Sequence, residues 1–103
     1  MVKIIKSNEF NEVLKNEVVL VDFFANWCGP CKMLSPVIEQ VSNEMTDITF
    51  VKVDVDESSD LASMFGVMSI PTLLIFKNGE LKGKTMGFMS KSDLIEFINE
   101  SKK

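Results

Sequence analysis

The sequence predicts an α/β domain on a mixed sheet, parallel in its first strands and antiparallel at its end, with helices on both faces. Three observations carry this. Apolar runs of strand character alternate with stripes of helical period along the chain. Val18 to Phe24 is almost continuously apolar and β-branched, as in a strand covered on both faces. Asn78-Gly79 lies between two short strand candidates and is a strong signal for an antiparallel hairpin.

The elements follow in order. Val2 to Ile5 is a short strand. Ser7 is placed to cap a helix whose apolar residues Phe10, Val13 and Leu14 fall at i, i+3 and i+4. The buried strand Val18 to Phe24 comes next. Met33, Leu34, Val37, Ile38, Val41 and Met45 then share one helical stripe, interrupted by Pro36, which predicts a kink. Ile48 to Val55 is a strand. Leu61, Met64 and Phe65 suggest a short helix starting near Ser58 or Ser59 and ending at Gly66. Thr72 to Phe76 and Leu81 to Met86 are the hairpin strands. Ser90, with Asp93 three residues on, opens a last helix carrying Leu94, Ile95, Phe97 and Ile98. The order is β-α-β-α-β-α-β-β-α.

Composition narrows the function. The 103 residues, 46% hydrophobic and 25% charged, suit one globular domain spanning 1–103. There is no histidine, which rules out Ser–His or Cys–His nucleophilic sites and histidine-ligated zinc within the chain. The 15 acidic residues outnumber 11 basic ones, all of them lysine. An acidic chain without arginine is a poor candidate for nucleic-acid binding. The longest apolar stretch, Val18 to Ala25, contains Asp22 and is too short to span a membrane. Lys3 and Lys6 flank only two isoleucines, so no secretory leader is expected, and the cytoplasm is the expected location.

The chemistry concentrates at Trp27-Cys28-Gly29-Pro30-Cys31, between a buried strand and a helix start. Two cysteines at i and i+3 on a first turn face the same side. As a structural staple the pair is weak, since so small a loop contributes roughly 2 kcal/mol. As a zinc site it lacks two of four ligands, which only a metal-bridged dimer would supply. Two inert buried thiols conflict with the exposure expected of this loop. The fourth reading is redox. Cys28 at the helix N-terminus is stabilised as a thiolate and attacks a partner disulfide, and Cys31 then resolves the mixed disulfide. Pro30 suits the first turn, and Gly29 leaves the backbone open to an incoming chain. Neither is charged, so the reduced form gains nothing extra and the pair is expected to be reducing.

Other positions leave two readings open on the residues alone. Asp22 either is buried, with a raised pKa, or marks a strand end in solvent. Lys52 alternates with Phe50 and Asp54, which by itself indicates a solvated lysine. Pro71 is expected trans, because cis X–Pro bonds are a small minority. Trp27 is either core or a rigid contact surface. Gly87 is either a strand-end glycine before the Ser90 cap or part of a binding face. The methionines, Met33, Met64 and Met68 among them, are expected mostly to fill the core, with Met68 near Pro71 placed to meet substrates.

Together, Trp27-Cys28-Gly29-Pro30-Cys31-Lys32, Val21-Asp22-Phe23, Pro36, Ile70-Pro71-Thr72 and Gly79 resemble the thioredoxin family through essentially the whole chain. The resemblance implies the thioredoxin fold, a five-stranded mixed sheet with four helices. It implies a dithiol–disulfide oxidoreductase that reduces protein disulfides through a reversible Cys28–Cys31 disulfide. It further implies Asp22 as proton relay to Cys31, Lys52 as the charge partner of Asp22, and a cis Pro71 facing the cysteines. Trp27, Ile70, Pro71 and Gly87 would form the substrate surface, with the backbone of Ile70 pairing to the substrate chain. No metal or organic cofactor is implied. The expected partners are a thioredoxin reductase and disulfide-containing proteins, and the expected state is a monomer. Phe24, Asn26, Met68 and Ser69 depart from common family residues and bear on partner choice. A non-catalytic binding subunit of the same fold is the alternative. An oxidase or isomerase is disfavoured by Gly29-Pro30.

Overall fold

The computed structural model describes residues 2–103 and leaves Met1 outside. The strands are β1 (Lys3–Ile5), β2 (Val18–Phe24), β3 (Thr49–Asp54), β4 (Thr72–Lys77) and β5 (Glu80–Met86). The helices are α1 (Phe10–Val13), α2 (Gly29–Glu44), α3 (Ser59–Met64) and α4 (Lys91–Ser101). The strands form one sheet in the order β1-β3-β2-β4-β5. β3 pairs parallel with both β1 and β2, whereas β4 pairs antiparallel with β2 and with β5.

β2 is central and all seven of its residues are buried. Its alternation sorts the core into two layers. Val18 and Leu20, with Phe50, Leu73 and Ile75 of the neighbouring strands, pack against Leu34, Ile38 and Val41 of α2 and Leu94 and Ile98 of α4. Val19, Val21 and Phe23 face the opposite way, onto Phe10 of α1 and Leu61 and Ala62 of α3. Each fully buried side chain of this size contributes about 1.5–3 kcal/mol. The same parity puts Asp22 on the α2 side of the sheet, beyond Leu20. It also puts Lys52 on that side, beyond Phe50, and the β2–β3 register makes Asp22 and Lys52 direct neighbours.

The Asn78-Gly79 hairpin forms as expected. Lys77 pairs with Glu80, and both turn residues have positive φ, 52° and 81°, which asparagine and glycine tolerate. The first helix differs from expectation. Residues Ser7–Glu9 form a 3-10 turn, and only Phe10–Val13 is α-helical. Ser7 does not cap it, because its hydroxyl donates to Asp60 of α3 instead. The Glu9 carboxylate accepts from the Lys6 N–H and takes over the capping. Pro36 lies inside α2, which runs on to Glu44. Ser90 caps α4, accepting from the Asp93 N–H at 3.2 Å.

Candidate active site

The site forms where β2 ends and α2 begins. Cys28 is the N-cap of α2, in extended backbone, and Pro30 occupies the first turn. Cys28 and Cys31 are joined as a disulfide with Cα atoms 5.3 Å apart. The Cys31 N–H donates to Cys28 Sγ at 3.2 Å, so a free helix-terminal amide points at the sulfur. The exposure expected of the cysteines is corrected. Both are only 5% exposed, packed with Phe24, Ala25 and Ile70. What is exposed is the frame around them: Trp27, Gly29 and Pro30. Chain neighbours and adjoining helix backbone aside, no described residue lies within 4 Å of where a Gly29 Cβ would stand, so the backbone there is open to an approaching chain.

Asp22 is buried, at 1% exposure, and the solvent-facing reading fails. Its Oδ1 has no hydrogen-bond partner among the described residues. Burial pushes the carboxyl up from 3.8 to about 7, against the pull of the Lys52 charge. The solvated reading of Lys52 is corrected too. Its Nζ donates to Ser35 Oγ at 2.9 Å and lies 4.7 Å from the centroid of the Phe24 ring, a cation–π contact. The stem spans from β3 to α2 under the helix. A cavity of about 120 Å³, lined by Cys31, Lys52, Ser35, Phe24, Asn26 and others, opens beside Cys31 and is wide enough for water.

The Ile70-Pro71 bond is cis, where the residues alone predicted trans. Thr72 Oγ1 donates to the Ser69 carbonyl across this turn at 2.6 Å. The Ile70 carbonyl oxygen lies 3.8 Å from Cys28 Sγ, so the loop before β4 abuts the cysteine directly. The Gly87 N–H donates to the Pro71 carbonyl at 2.8 Å, and φ at Gly87 is +88°, a conformation that side chains disfavour. Ile70, Pro71 and Gly87 therefore form one continuous ledge beside the disulfide.

Trp27 is 70% exposed, and its Nε1 donates to Asp56 Oδ2 at 2.9 Å. Asp56 is itself placed by Asp54, whose Oδ1 accepts from the Asp56 N–H at 2.9 Å. The methionine expectation is corrected. Met33 and Met64 are 63% and 69% exposed and Met86 is exposed as well, while Met68, expected beside Pro71 rather than in the core, is 93% exposed. In α2 the buried residues are Cys31, Leu34, Ile38 and Val41, and Met33 stands to one side of that line. Sequence reasoning passed over Asp56 and Ser35. Each is a polar residue with no local signal, brought to the site only by the β2–β3 register and the packing of α2. Among the described residues no group of three or more Cys, Asp or Glu is arranged to hold a metal ion. No helix among them is long and apolar enough to cross a membrane.

Comparison with known proteins matches residues 1–100 to the thioredoxin family. The chain is 43% identical to a thioredoxin of Chlamydia caviae over 100 residues, covering 97% of this chain and 98% of that one. It is 47% identical to a thioredoxin of Rickettsia typhi over 93 residues, covering 88% and 89%. The solved structure of Plasmodium falciparum thioredoxin superposes with a TM-score of 0.90 at 40% identity, covering 96% of this chain and 98% of that one. With this fold and a cysteine pair at disulfide distance at the head of α2, the chain belongs to the thioredoxin family and is a dithiol–disulfide oxidoreductase.

Proposed function

We propose that the chain works in the reducing direction, as a single-domain cytoplasmic monomer that passes two electrons from Cys28 and Cys31 to disulfides of other proteins. In its dithiol form the Cys28 thiolate attacks one sulfur of the partner disulfide. A mixed disulfide forms, and the partner's other sulfur leaves as a thiolate. Cys31 then loses its proton and attacks Cys28 Sγ, releasing the second partner thiolate. The Cys28–Cys31 disulfide closes, the partner is reduced by two electrons, and a thioredoxin reductase restores the dithiol. The pair is the whole redox centre, and neither metal nor organic cofactor takes part.

The observation that carries this reading is the Cys31 N–H aimed at Cys28 Sγ from the helix start. A donor and helix dipole there favour the anion of Cys28. In a chain without histidine, the proton of Cys31 goes to Asp22. A carboxyl with its pKa near 7 is well matched to accept and return a proton at neutral pH. Lys52 tunes that carboxyl by its charge. Trp27, Ile70, Pro71 and Gly87 receive the substrate chain, with the backbone of Ile70 available for strand-like pairing. Met68, almost fully exposed beside this ledge, adds an adaptable apolar contact.

Redox titration of the Cys28–Cys31 pair against a thiol buffer of known potential tests the direction. A potential below that of the cytosolic glutathione pool is expected, and one well above it would overturn the reducing role. Loss of insulin-disulfide reduction in Cys28→Ser and Cys31→Ser variants separates this role from that of a binding subunit, which would survive both substitutions.

A further inference from the structure

Asp22 and Lys52 are register partners on adjacent strands and share one face of the sheet. Opposite charges so placed would ordinarily meet. Here the lysine is held elsewhere. Its ammonium donates to Ser35 Oγ at 2.9 Å and sits over the Phe24 ring, while Asp22 Oδ1 has no hydrogen-bond partner among the described residues. Ser35 follows Cys31 by four residues on α2, which puts its hydroxyl on the same helix face, at the wall of the cavity that Cys31 and Lys52 also line.

We propose that Ser35 is a positioning residue for the proton relay: its hydroxyl, with the Phe24 ring, anchors the Lys52 ammonium beside Cys31 and keeps it from closing an ion pair with Asp22. An ion pair would fix Asp22 as a carboxylate and weaken it as a base for the Cys31 proton. Held on Ser35, the lysine acts on Asp22 only through space, and the carboxyl stays free to exchange protons near neutrality. Lys52, from β3, is the charged group that acts on Asp22. β4 presents Leu73 opposite it, and α2 presents Cys31, with Lys32 further out on the cavity wall. The burial that raises the Asp22 pKa is thus offset only partly by Lys52.

The inference rests on the relay reading of Asp22 only for its effect on rate, because the carboxyl can be titrated directly. Carbon-13 NMR of the Asp22 carboxyl in the oxidised protein gives its midpoint. In Ser35→Ala the freed ammonium moves towards Asp22, and the midpoint is expected to fall by roughly half a pH unit, the effect of bringing a unit charge about 1 Å closer at such range. Ser35→Thr, which keeps the hydroxyl, retains the parent midpoint. In a Lys52→Met background, Ser35→Ala produces no fall. An unmoved midpoint in Ser35→Ala, an equal fall in the Lys52→Met background, or a Ser35→Thr variant that titrates like Ser35→Ala would each overturn the proposal. The pH profile of mixed-disulfide resolution is read beside the titration. If it moves with the carboxyl, both readings stand. If the carboxyl midpoint falls and the profile stays, the positioning role stands and the relay role is lost.

Discussion

Trp27 and Asp56 are joined by a 2.9 Å hydrogen bond across the mouth of the site, from the cysteine loop to the turn after β3. The indole is 70% exposed and would otherwise turn freely. The bond holds one edge of the ring and so presents a fixed apolar face beside Cys28. A contact surface that is rigid before binding loses less entropy when a partner docks.

Asp56→Ala removes the acceptor and leaves the cysteines untouched. The expected result is a rise of about 3–10-fold in KM for a protein disulfide, the equivalent of one lost hydrogen bond, with kcat little changed. A small disulfide that does not reach Trp27 should be reduced at the parent rate. Because Trp27 is the only tryptophan, its fluorescence anisotropy reports the freed ring directly. An unchanged KM together with lowered anisotropy would show that the held ring does not matter to docking.

Asp22 predicts an unusual pH dependence of stability. Its pKa in the folded protein is about 7, raised by burial from 3.8. Between these values the native state keeps the proton that the unfolded chain has released. The native state therefore binds more protons there, and unfolding free energy falls as pH rises. Below about pH 4 both states are protonated and the cost vanishes, whereas above about pH 7 it is complete, at most ~4 kcal/mol for a shift of this size. Asp22→Asn removes the charge. Urea unfolding of the oxidised protein should show the variant gaining on the parent steadily from about pH 4 to pH 7 and levelling off above it. Parallel curves across that range would mean that Asp22 is ionised at no cost in the fold.

The same residue marks how far the sequence could be read. The strand Val18 to Phe24 was plain from its composition. Because every residue in it is buried, alternation could not say which way Asp22 points or whether it reaches water. Asn78-Gly79 was legible because its signal is local and its backbone demand is met by few residues. Cys28 and Cys31 were legible for the same reason. Lys52 misled, since a lysine alternating with Phe50 and Asp54 looks solvated until α2 is laid over β3. Ser35 and Asp56 carried no signal, because what matters about them is a partner 17 or 29 residues away. Apolar character alone points Met33 and Met64 to the core, whereas both stand on open surface.

The order of attack at the cysteines is testable by trapping. Cys28 Sγ accepts from the Cys31 N–H and adjoins the Ile70 carbonyl on the ledge before β4. Cys31 lies one turn in and borders the inner cavity. Cys31→Ser should accumulate a covalent mixed disulfide through Cys28, visible by mass as one partner molecule per chain. Cys28→Ser should accumulate none on the same time scale, as Cys31 lacks both the N-cap position and the ledge. Comparable adducts from the two variants would remove the distinction between attacking and resolving thiols.

Gly83 lies in β5 beneath the end of α4, and its place there is set by contact. A Cβ at this position would run into Ser101 Oγ and stand 2.9 Å from Ser101 Cβ and 3.2 Å from Phe97 Cε1. The hydroxyl can rotate away, but the Ser101 Cβ moves only with the backbone, so the last turn of α4 would have to lift. Gly83→Ala is expected to cost about 1–3 kcal/mol, the usual range for an inserted methyl in a packed interior. Ser101→Gly removes both Ser101 atoms named here, so combining it with Gly83→Ala should return most of that loss, a coupling that two independent sites would not show. Denaturant midpoints of the four proteins measure it at constant m-value. A Gly83→Ala variant as stable as the parent, or a double variant whose losses simply add, would mean that α4 is not seated on Gly83.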